Sequence, residues 1–169
     1  MRFIDEESRG RPSDNFPESA NQMPHETDLT TAIRRHLLMG WWGLALFVLL
    51  GLLLETMHGL KVNYYLDVRN ETRRLMWTLA HAHGTLLSIV HIAWGVTLAA
   101  AIAKTAAPPG PLAFWGLTAG WVLVPLGFFL GGLWIYDGDP GIGVLLVPAG
   151  ALLLLAGITA AGRYLWREA

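Results

Sequence analysis

The sequence predicts an all-α polytopic membrane protein: an antiparallel four-helix transmembrane bundle behind a disordered polar N-terminal tail. Three observations carry this reading. The 169 residues are 53% hydrophobic, with a mean hydropathy of +0.41. The apolar residues fall in four blocks, each near the roughly 20 residues that cross about 30 Å of hydrocarbon. The connectors between blocks are short, which makes consecutive helices antiparallel neighbours. No run alternates with period two, so strands are not expected, and a membrane barrel would need many more segments.

Composition narrows the function classes. The formal net charge is −1, and there is neither a basic face nor a glycine-rich phosphate loop, so nucleic acid is not an expected partner. Cysteine is absent, which removes disulfides, thiolate ligands and iron–sulfur clusters. Histidine and carboxylate are left as metal ligands. Eight tryptophans suit anchoring at the headgroup level of a lipid bilayer.

Residues 1–29 hold seven of the thirteen acidic residues and three prolines. Such a segment buries too little apolar surface to fold alone and reads as a mobile tail. It lacks the basic start and apolar run of a signal peptide. Residues 30–169 form the membrane domain, with Asp28 or Thr30 as the expected cap of the first helix. The spans are expected at about 37–59, 74–103, 112–136 and 141–162. The connectors are Leu60–Arg73, a proline-rich stretch after Ala103, and Asp137-Gly138-Asp139-Pro140, which reads as a turn that caps the fourth helix. Arg34, Arg35, Lys104, Arg163 and Arg167 flank the spans on the N-terminal side, against Lys61, Arg69, Arg73 and Arg74 on the other. The small excess of five over four favours both termini in the cytoplasm, and an inner membrane is the expected location. Gly116, Gly120, Gly127 and Gly131 share one face of the third helix. Gly143, Gly150, Gly157 and Ala161 recur near heptad spacing on the fourth. Small residues let helix backbones approach closely in lipid, either within the bundle, at a homodimer face, or against a planar cofactor. Pro125 and Pro148 are expected to kink these helices.

The functional signal lies in the ionisable groups inside apolar runs, which are costly in a membrane and mark sites. The second span carries His81, His83 and His91. The first carries Glu55, the only carboxylate within a hydrophobic run, and His58 three residues on. At i and i+3 the latter two address one point. On a helical wheel His81 shares the smallest and most polar face of its helix, with Thr78, Gly84, Thr85 and Ser88, and is the expected inward histidine. His83 points about 200° away, and His91 sits at one flank, deeper in the membrane. In an antiparallel pair Glu55, His58, His81 and His83 reach one level, where Tyr136, Asp137 and Asp139 also emerge. That convergence reads as a site for haem or a transition metal (Cu, Fe or Zn), with Glu55, His58, His81 and His83 as metal ligands and His91 as a further haem-binding candidate. Arg73 and Arg74 read as interfacial anchors, or else as partners of Glu55, an anionic headgroup or a haem propionate.

The stretch Leu79-Ala80-His81-Ala82-His83-Gly84-Thr85-Leu86-Leu87 resembles the histidine-bearing helix of haem-copper oxidase subunit I. The resemblance implies that His83, which precedes Gly84, is a haem ligand. This helix together with the segment from Gly131 to Pro140 is also similar to small four-helix bacterial membrane proteins of unassigned role, over about residues 35–165. An oxidase's helix count and copper-site histidines are absent, so the implied role is a one-cofactor relative or accessory subunit. The expected function is therefore electron transfer or service in a larger membrane redox complex. Two alternatives stay open: a cofactor-free structural or assembly subunit, and a small proton-linked transporter, although no internal repeat supports the latter.

Overall fold

The structure, a computed structural model, describes residues 23–67, 71–101 and 108–168. Four helices dominate it: α1 (Met23–Gly59), α2 (Thr72–Ala101), α3 (Pro111–Leu133) and α4 (Leu146–Glu168). All four are long and apolar enough to cross a membrane. Most of the expected tail, residues 1–22, lies outside the described residues, as do Arg69 and Lys104 among the flanking cations. Residues 23–29, by contrast, belong to α1, so Asp28 and Thr30 sit within the helix and cap nothing. The reason is visible in the packing. Leu29 is buried in a cluster with Trp94, Leu98, Ala113, Leu117 and Ala161, with Ile33 against it. That cluster draws the helix beyond the apolar run itself.

Chain neighbours pack on each other: α1 on α2, α2 on α3, and α3 on α4. Along the first interface the contacts fall on α2 as they rise on α1. Leu37 meets Gly95, Gly40 meets Ser88 and Ile92, Phe47 meets Gly84, and Gly51 meets His81. The glycine face of α3 is turned to α4. A Cβ placed on Gly116 would lie 2.6 Å from the Cα of Gly157, and one on Gly120 would lie 2.5 Å from the Cβ of Leu154. The small residues thus serve close packing within the chain.

Two local expectations are corrected. A two-residue hairpin joins α3 to α4, with β1 (Ile135–Tyr136) antiparallel to β2 (Asp139–Pro140). Asp137 (φ 51°) and Gly138 (φ 96°) turn it through the left-handed region, as two-residue hairpin loops require. A 3-10 turn over Ile142–Leu145 follows, and its N-cap is Gly141, with no side-chain cap bond, so the aspartates do not cap. Pro148 falls in the first turn of α4, and Pro125 lies inside α3.

The end of the molecule that carries the hairpin is tied by polar and aromatic contacts. Arg73 donates from Nε to the Gly132 carbonyl (3.0 Å) and from Nη1 to the Tyr64 carbonyl (2.9 Å), and its guanidinium lies 3.9 Å from the Tyr64 ring centroid. Trp77 donates to the Phe129 carbonyl (3.1 Å) and stacks between Tyr65 and Phe129. Thr72 donates to the Gly138 carbonyl. Arg74 pairs with Glu71 at 3.0 Å. The two arginines are therefore engaged with the connector and with the end of α3.

Candidate functional site

The buried positions of α2 are Met76, Trp77, Ala80, Gly84, Leu87, Ser88, His91, Trp94, Gly95 and Leu98. They repeat at three and four residues and form one stripe. Its centre is turned about 80° from His81 and passes close to His91. The expected order of the histidines is thereby revised: His91 is the one the fold buries, and His81 lies at the edge of the stripe, half-buried. The polarity-drawn wheel had the right helix but the wrong phase, because α2 is covered on two sides, by α1 and by α3.

Each remaining candidate has a definite place. His81 donates Nδ1–H to the Phe47 carbonyl (2.7 Å), and its ring lies where a Gly51 side chain would be. Glu55 and His81 line the same groove, with Gly51, Tyr65 and Thr78. His58 lines an adjoining groove, with Tyr65, Thr72, Arg74 and Thr78. Both Glu55 and His58 are exposed. Tyr136, Asp137 and Asp139 are exposed on the hairpin, whose Gly138 borders the His58 groove. His83 donates Nδ1–H to the Leu79 carbonyl of its own helix (2.9 Å), and its ring tilts over Phe128 of α3 at 4.9 Å. His81 and His83 thus share a form: Nδ1 is oriented by a carbonyl and Nε2 is left with the lone pair. A carbonyl on one nitrogen is what fixes the tautomer of a ligating histidine. Among the described residues, no group of three or more His, Cys, Asp or Glu is close enough to hold a metal ion.

The most enclosed polar feature is one that sequence reasoning passed over. His36 of α1 and His91 of α2 are 0% and 1% exposed, and their Nδ1 atoms meet at 2.9 Å. Phe114 of α3 stands edge-on to His36 at 5.2 Å, and Trp121 of α3 tilts against His91 at 5.5 Å. Trp121 is itself held by an N–H bond to the Ser88 hydroxyl (3.0 Å), and Ser88 donates back to the Gly84 carbonyl. Three helices thus close around two imidazoles. The Nε2 atoms of both rings are buried and unpaired. The Leu117 carbonyl lies beside the His91 ring without completing a hydrogen bond of regular geometry. His36 stands next to Arg34 and Arg35 and so reads as part of a basic membrane boundary. The signal that could have found it is the series Leu29, Ile33, His36, Gly40, Gly43, Phe47, Leu50, Leu54, a three-and-four repeat of apolar and small residues with one histidine in it.

The room available discriminates between cofactors. A haem between two histidines needs a slot one macrocycle thick, and the His36 and His91 ring centroids are 5.0 Å apart with the nitrogens in contact. The glycine recesses of α1 and α2 are filled by protein: Gly51 by His81, Gly84 by Phe47, Gly43 by Ser88 and Trp121. An apolar groove of about 390 Å3 opens beside Phe47, Ala80, Trp121, Pro125 and Phe129, but no histidine lines it. No protein family, curated protein or solved structure matches the chain.

Proposed function

We propose that this chain is a multi-pass protein of a bacterial inner membrane that holds a transition metal or haem through intramembrane histidines. Its role on this reading is electron transfer, or service as an accessory subunit of a membrane redox complex. The helices cross the bilayer antiparallel, with both termini cytoplasmic. The observation that carries the reading is the His36–His91 pair: two imidazoles in a dry layer, with half their nitrogens unpaired. A buried polar atom without a partner costs about 1–3 kcal/mol, and intramembrane ionisable groups mark functional sites. His81 and His83, with Nδ1 oriented and Nε2 free, supply two more ligand nitrogens, and His83 holds the position implied by the oxidase-like helix. Of the two cofactor classes, the filled glycine recesses favour a metal ion over a haem.

The competing reading is a cofactor-free assembly subunit. It draws on α4, where Leu152, Leu155, Ile158 and Trp166 are exposed on a helix that packs chiefly on α3. One measurement separates the two: an absorption spectrum with elemental analysis of the full chain extracted from membranes. A Soret band, or Cu, Fe or Zn near one per chain, supports the cofactor reading. Colourless, metal-free protein overturns it and leaves the scaffold.

A further inference from the structure

The cofactor reading leaves the occupant open, and the chemistry of the buried pair narrows it. Among the described residues, no third His, Cys, Asp or Glu joins His36 and His91 in a ligand group. Around the two rings stand Phe114, Trp121 and Leu117, and none of these carries a charge. Zinc in proteins takes four ligands, and ferrous and cupric ions take four or more. A pair of neutral nitrogens satisfies none of them. The electrostatic cost of burying an ion grows with the square of its charge, and among the described residues no buried carboxylate offsets it. The Arg35 guanidinium, a charge of the wrong sign, lies 6.0 Å from the Phe114 ring, which in turn touches His36.

We propose, on the basis of the cofactor reading above, that His36 and His91 form a two-coordinate site for a monovalent d10 cation, cuprous copper. Such an ion accepts two nearly opposed nitrogen donors and carries the smallest charge into the dry layer. The converging atoms are the two Nδ1. With metal–nitrogen bonds of about 2.0 Å, they must part from 2.9 Å by about 1 Å. Both rings bind as neutral imidazoles, so no proton leaves the site. The ring that donates in the His–His bond moves its proton from Nδ1 to Nε2. Phe114 and Trp121 keep water, and hence extra oxygen ligands, from the ion.

The test is an anaerobic titration of the detergent-solubilised full chain with Cu(I) held by a chromogenic chelator. Zn(II), Fe(II) and haemin are titrated in parallel. The expected result is one Cu(I) withdrawn per chain, with X-ray absorption showing two nitrogen neighbours. His36→Leu and His91→Leu each lose at least tenfold in affinity, while Gly162→Leu, at a position with nothing within 4 Å, retains it. Because the absorption measurement uses the unaltered protein, a variant that fails to fold does not blunt the test. Copper left on the chelator, or bound with three or more neighbours, overturns the proposal, and so does full retention in His36→Leu and His91→Leu. Stoichiometric haemin or Zn(II) uptake without Cu(I) overturns the cuprous site and leaves the broader cofactor reading standing. Uptake of none of the four overturns both.

Discussion

If His36 and His91 are each other's partners in the metal-free protein, removing one ring should hurt more than its share. Their Nδ1 atoms lie 2.9 Å apart at 0% and 1% exposure, so neither can turn to water when the other is lost. His36→Leu strands His91, and His91→Leu strands His36, each change losing the shared bond along with its own packing. The double variant loses the bond once and strands nothing. The single losses should therefore sum to more than the double loss by the coupling energy. That energy is about 1–2 kcal/mol, within the range for a buried hydrogen bond and reaching past the values typical between membrane helices. The assay is reversible unfolding of the four proteins in mixed micelles, followed by far-ultraviolet circular dichroism in the presence of a strong chelator. Additivity to within about 0.5 kcal/mol, as for sites that do not touch, would refute the pairing and the site built on it.

Two further outcomes test the frame around the site. Gly157→Leu puts a Cβ 2.5 Å from the Leu117 amide nitrogen and 2.7 Å from the Gly116 carbonyl carbon, backbone atoms that cannot rotate away. It should cost at least about 1–3 kcal/mol in thermal unfolding, whereas Gly162→Leu, with nothing within 4 Å, should unfold like the parent. At the hairpin end, Arg73→Lys should free the connector 60–67, since one ammonium cannot reproduce a planar fork spanning the Gly132 and Tyr64 carbonyls. Faster amide exchange in that segment, with unchanged exchange at the α2–α3 interface, is the expected pattern; uniform exchange across both would refute it.

Much of the architecture is legible in composition and spacing. Four apolar runs of membrane length, with short connectors, read as four helices, because a helix satisfies all its backbone bonds within one segment. The glycine stripes of α3 and α4 are likewise readable, and they meet as Gly116 against Gly157. Element ends were less legible. Asp28 looks like a cap, yet the buried Leu29 beside it carries the helix further back. The aspartates of the hairpin look like caps as well, yet Asp137 and Gly138 are spent on left-handed turn geometry.

The sequence by itself determined that several histidines lie within apolar spans, and that Glu55 and His58 lie near the far end of the first one. Tertiary structure decided which of them is enclosed. A helical period sets the angles between side chains on one helix, but the direction called inward belongs to whatever packs against it. Here α1 and α3 both cover α2, which swings the buried stripe from His81 towards His91 and brings up His36, which only its place in a three-and-four repeat sets apart from Arg34 and Arg35 beside it.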